Sequence, residues 1–154
     1  VQNSSRFGLS LNGQIPADFA FDLTANGLFF AHAKPNDASD RQKALKIYQV
    51  ATDRLLAVTS ASRLYERAVT FNLGVIKNAI GLINERDGRE EEANDDFQSA
   101  INCFKELKGD NDLALASTLF NQSDLQWKRR NFLQALQLRA TARAIWQRSK
   151  NLDR

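Results

Sequence analysis

The residues from Leu113 to Trp146, LALASTLFNQSDLQWKRRNFLQALQLRATARAIW, constrain the fold more than any other stretch of the chain. Their apolar spacing of three and four predicts two amphipathic helices joined by a tight turn. Parts of this pattern recur upstream. A small–aromatic–small triplet at spacings of 4 and 3 occurs as Ala44/Tyr48/Ala51 and as Ala93/Phe97/Ala100. Ala44 to Ala93 is 49 positions and Ala93 to Ala135 is 42. The dipeptide Phe-Asn also recurs, as Phe71-Asn72 and Phe120-Asn121. Asn121 precedes Ala135 by 14 residues, whereas Asn72 precedes Ala93 by 21, a difference of seven. Seven residues are close to two helical turns, so a longer first helix keeps the same face inward. Gly74 and Gly81 both fit the small position of that helix, which leaves its register open.

In the last hairpin Ala116, Leu119, Asn121 and Ser123 occupy the first helix, and Phe132, Ala135 and Ala142 the second. This arrangement resembles the tetratricopeptide-repeat (TPR) family, in the long-repeat form seen in kinesin light chains. Gln122 stands where that family usually has Leu, and Arg139 where it has an aromatic. The resemblance implies an all-α fold, a right-handed superhelical stack of about three antiparallel hairpins and six helices, over residues 16–154. It also implies a concave groove that binds a peptide or partner segment. In the family an Asn near the middle of each first helix grips the peptide backbone, because an amide both donates and accepts. Asn72 and Asn121 match that position, with Phe71, Val75, Asn78, Ser117, Phe120, Asp124 and Lys128 as neighbours on the same face. Members that clamp a chaperone's terminal carboxylate use Lys, Asn and Arg. Phe29, Ala33 and Ser117 stand at such places here, which argues against that ligand.

Taken in order, residues 1–15 have no helical period and form a flexible or extended leader. A first helix is expected from Pro16, with Asp18 and Asp22 matched to its positive end. Pro35-Asn36-Asp37 closes it, and Ser39 or Asp40 caps a second helix running to about Val58. A third helix is expected from Arg63 to Glu85. It is apolar on two faces and therefore central, with Gly74 and Gly81 as places of close helix approach. Asp87-Gly88 turns the chain into a fourth helix, Arg89 to Leu107, with Ala93, Phe97, Ile101 and Phe104 inward. Trp146 joins Leu138, Ala142 and Ile145 in the expected core of the last helix.

With 7 Gly and 2 Pro the chain lacks the turns of an all-β protein. Cys103 is its only cysteine, so it has no internal disulfide or cysteine metal cluster, and a reducing compartment such as the cytoplasm fits. No apolar run approaches the roughly 20 residues that span a bilayer. The absence of Met predicts a piece excised from something longer. Catalysis is not expected: His32 is the only histidine, and there is no phosphate loop or nucleophile turn. No cofactor or metal is expected either. The carboxylate pairs Glu91/Asp95 and Glu92/Asp96 read as a solvated, dipole-matched helix start.

Charge is unevenly spread. Residues 85–96 hold seven acids and two bases, and residues 127–154 hold eight bases and one acid. The basic end, with Arg129, Arg130, Arg139 and Arg143, is expected to steer an acidic protein or peptide partner. Two other readings compete with a peptide-binding adaptor or scaffold. One is a structural domain that forms homo-oligomers. The other, ranked lower for want of a recognised motif, is nucleic-acid binding through Arg139 and Arg143.

Overall fold

A computed structural model describes residues 37–61, 66–107 and 112–152. Five α-helices account for them: α1 Ala38–Ala61, α2 Glu66–Arg86, α3 Glu90–Glu106, α4 Asp112–Lys128 and α5 Phe132–Leu152. Among the described residues there is no strand, and no helix is long and apolar enough to cross a membrane. The all-α class and the helix-hairpin arrangement agree with the pattern of the sequence. The leader over 1–15 and the helix expected from Pro16 lie outside the described residues. The chain divides into two compact units, Val1–Asn72 and Leu73–Arg154.

In the first unit α1 is capped by Asp37. Its Oδ1 accepts the backbone N–H of Ser39 at 2.8 Å and of Asp40 at 3.3 Å. The cap is thus two or three residues earlier than Ser39 or Asp40, because the helix takes both of those into its first turn, where N–H groups need an acceptor. Ala44, Tyr48, Ala51 and Leu55 lie on one stripe of α1 and are wholly buried.

The second unit holds α2 from Leu73 onward together with α3, α4 and α5, arranged as two antiparallel hairpins, α2–α3 and α4–α5. Glycine sets the closeness of the first. A Cβ at Gly81 would stand 2.7 Å from the Phe97 ring, and one at Gly74 would stand 2.7 Å from the Phe104 ring. Both rings are buried on the backbone of α2, so the glycines mark the close approach that their positions predict. Phe97 also packs with Ala93 and with Leu125 of α4, and Leu82 covers the cluster. The α2 helix is more one-sided than its sequence implies. Val69, Ile76, Ala79 and Ile83 are buried, whereas Phe71, Val75, Ile80 and Leu82 are partly exposed and Ala68 is exposed. In α5, Ala135, Ala142 and Ile145 are buried and Leu138 partly so, but Trp146 is 46% exposed rather than in the core. One residue beyond Ile145 is about 100° further round the helix, which carries the indole to the edge of the buried stripe.

The two hairpin turns have the same hydrogen bonds, displaced by 42 residues. Asp87 N–H donates to the Ile83 carbonyl, Gly88 to Glu85, Arg89 to Asn84 and Ala93 to Arg89. Arg129 donates to Leu125, Arg130 to Trp127, Asn131 to Gln126 and Ala135 to Asn131. This is the Schellman closure of a helix end, whose central residue is left-handed. Gly88 has φ 76° and Arg130 has φ 63°. Side chains reinforce each closure: Arg89 donates to Asn84 Oδ1 at 2.6 Å, and Asn131 Nδ2 to Gln126 Oε1 at 2.9 Å.

This register corrects one expectation. At a displacement of 42, Asn121 corresponds to Ala79 and Asn72 to Ala114, so the two Phe-Asn dipeptides are not equivalent positions. They differ by two turns of helix, which preserves the face but not the level along it.

Gly81→Ala gains about 1 kcal/mol of helix propensity but drives a methyl into Phe97, so a net loss of about 1–2 kcal/mol is expected in urea denaturation. Part of that loss returns when Phe97→Leu is added. At the turns, Gly88→Ala should destabilise and Arg130→Gly should stabilise, each by about 1 kcal/mol in the same measurement.

Candidate functional site

The α2 and α4 helices of the second unit bring together four of the residues expected to contact a partner. Asn121 Nδ2 donates to Asn78 Oδ1 at 2.9 Å, which links the two hairpins. Seven residues on, Lys128 Nζ meets Glu85 at 2.5 Å. Between these bonds Leu82, Glu85, Asn121, Asp124, Trp127 and Lys128 line an open depression of about 260 Å³. Arg139 reaches it from α5, pairing with Asp124 at 2.5 Å, and its guanidinium carbon lies 5.8 Å from the centre of the Trp127 ring. Trp127 is about half exposed and meets Phe132 edge to face at 4.9 Å.

The remaining expected contacts are more scattered. Ser117 and Phe120 are exposed on α4, and Val75 is partly exposed on α2. Phe71 and Asn72 belong to the first unit, where Asn72 Nδ2 donates to the Ala68 carbonyl one turn back at 2.8 Å. An Asn used in this way is satisfied by its own helix.

The charge asymmetry of the sequence is resolved in part inside the second unit. The acidic start of α3 lies against the basic end of α4: Arg129 pairs with Glu91 and stands 3.9 Å from Glu90. Each such exposed pair contributes about 0–1 kcal/mol, but together they remove Lys128, Arg129 and Arg139 from any freely basic surface. Arg130 is committed to the turn by its backbone, and Arg143 is exposed on α5. The acidic cluster also departs from a wholly solvated face. Asp96 is mostly buried and holds Lys77 at 3.0 Å and the Asn84 amide at 2.8 Å.

A second set of polar residues escaped the sequence reading. Gln122, Ser123 and Gln126 are buried on α4. Asn94 Oδ1 on α3 accepts from Gln126 Nε2 at 2.8 Å and from Gln122 Nε2 at 3.4 Å. Ser123 Oγ donates to the Ala135 carbonyl of α5 at 3.1 Å. The one available signal was Gln122 and Gln126 one turn apart, where an apolar face would carry Leu. These amides join helices and leave no buried group facing a ligand.

Cys103 is half-buried, and burial pushes its thiol pKa up, with the nearby Glu106 carboxylate adding to the rise. Among the described residues, no three His, Cys, Asp or Glu side chains are grouped to hold a metal ion. No family model, curated protein or solved structure matches this chain.

The Asn78–Asn121 bond is directly measurable. A double-mutant cycle of Asn78→Ala and Asn121→Ala in urea denaturation should give a coupling of about 0.5–1 kcal/mol. Strictly additive losses would show that the bond does not hold the hairpins together.

Proposed function

We propose that this chain is a non-catalytic protein-interaction module, an adaptor or scaffold that receives a peptide or partner segment on the α2/α4 face. The hairpins are proposed to stack in a right-handed, TPR-like superhelix. Support for the stack comes from the 42-residue recurrence of the Schellman turn and its reinforcing side chains. Support for the binding role comes from one feature above all, the depression bordered by Trp127. Its volume of about 260 Å³ is below the roughly 300–1,000 Å³ of small-molecule sites. It suits one anchoring side chain of an extended peptide. Trp127 offers an apolar wall, and the Asn121 amide and Asp124 carboxylate offer polar groups beside it. Since Lys128 and Arg139 already have carboxylate partners, the proposed ligand is apolar or of mixed charge rather than strongly acidic.

Selection from a phage-displayed random peptide library tests this reading. The enriched peptides should share one large apolar residue, and Trp127→Ala should weaken a selected peptide about tenfold, near 1.4 kcal/mol. Failure to enrich any common sequence, or enrichment indifferent to Trp127→Ala, would count against the α2/α4 face as a binding site.

A further inference from the structure

The 42-residue register extends from the turns to the helix faces. On α3 the residues Glu90, Asn94, Phe97, Ile101 and Phe104 recur at spacings of 4, 3, 4 and 3, one continuous stripe. The α4 helix lies along the first three of these residues. Arg129 approaches Glu90, Gln122 and Gln126 bind Asn94, and Leu125 packs with Phe97. Ile101 and Phe104 are buried as well, Phe104 against the Gly74 backbone of α2. The corresponding stripe on α5 is Phe132, Leu136, Arg139, Arg143 and Trp146. Here the three large apolar side chains are 47%, 55% and 46% exposed.

We propose that this α5 stripe is a second interaction surface, and that its occupant is one amphipathic, acidic α-helix of a partner protein. A helix is indicated because the equivalent stripe one repeat earlier accepts a helix, so the surface continues an interface already formed within the unit. Acidic character is indicated by the two places where an apolar residue of α3 becomes a basic one of α5. Phe97 and Ile101 of α3 are replaced by Arg139 and Arg143. Arg139 shares the Asp124 carboxylate, whereas Arg143 is exposed between Leu136 and Trp146 and suits an incoming Asp or Glu. A second copy of α5 is the poorer occupant, because it would set arginines against arginines along an otherwise apolar strip. This surface adjoins the α2/α4 depression through Phe132 and Arg139, which touch Trp127 and Asp124, but extends away from it to Leu136, Arg143 and Trp146 and does not rest on the reading given to it.

The test uses the 154-residue protein and a synthetic helical peptide with Leu at alternating spacings of 3 and 4 flanked by Glu. An isomer carrying Lys for Glu is the control, and calorimetry is the readout. The Glu peptide should bind and the Lys isomer should not. Leu136→Asp and Arg143→Glu, both at exposed positions and checked for unchanged helicity, should each weaken binding about tenfold or more. Arg143→Glu should also shift preference toward the Lys isomer. Lys128→Glu, in the α2/α4 depression, should leave the affinity unchanged. The proposal is overturned if the Glu peptide fails to bind, or if Leu136→Asp and Arg143→Glu leave its affinity intact. It is equally overturned if Lys128→Glu abolishes binding, or if sedimentation shows a dimer that Leu136→Asp disperses.

Discussion

The second unit depends on the contact between the Phe97 ring and the bare backbone of Gly81. A helical glycine sacrifices about 1 kcal/mol relative to alanine, and here the return is geometric. With no Cβ in the way, the ring lies directly on α2, and Gly74 makes the same accommodation for Phe104 two turns along. Phe97 then presents its remaining surface to Leu125 of α4. One buried side chain therefore fixes the spacing within the first hairpin and also seats the second hairpin on it.

The second hairpin repeats the turn but not this contact. Ser123 and Ala116 stand where α2 has Gly81 and Gly74, and Arg139 and Trp146 stand where α3 has Phe97 and Phe104. Hydrogen bonding takes over from ring packing, with the buried Ser123 hydroxyl donating to the Ala135 carbonyl. Arg139 turns instead to Asp124 and Trp127. Between the hairpins the Asn94–Gln122–Gln126 amides add direction to the apolar contact. A buried amide left without its partner costs about 1–3 kcal/mol, so only a narrow range of registers is compatible with all three.

Most of the helices were legible in the sequence because their stripes are long and regular. The Ala44/Tyr48/Ala51 and Ala93/Phe97/Ala100 triplets are buried throughout, and Gly74 and Gly81 mark close approach. The level of the first helices was not legible. A shift of seven residues leaves an α-helical stripe almost unchanged, so periodicity cannot separate Asn72 from Ala79 as the counterpart of Asn121. The turn does separate them, but only half its signal is visible in residue type. Gly88 announces a left-handed residue, and Arg130 conceals one. Charge totals misled for a related reason. The acidic and basic segments are distant in sequence yet meet through Arg129, Glu90 and Glu91, so the basic end is less available to a partner than its composition implies. Of the expected contact residues, Asn78, Asn121, Asp124 and Lys128 converge, because they lie on the facing sides of α2 and α4.

The stacking of the two hairpins depends on the Phe97 ring occupying the junction of α2, α3 and α4. Nuclear Overhauser spectroscopy on the protein labelled at Phe, Gly and Leu examines this contact directly. The ring protons of Phe97 should show cross-peaks to both the Gly81 α-protons and the Leu125 methyls. Cross-peaks to neither, with the ring instead contacting α2 one turn away near Lys77 or Glu85, would contradict the hairpin register and the stack built on it.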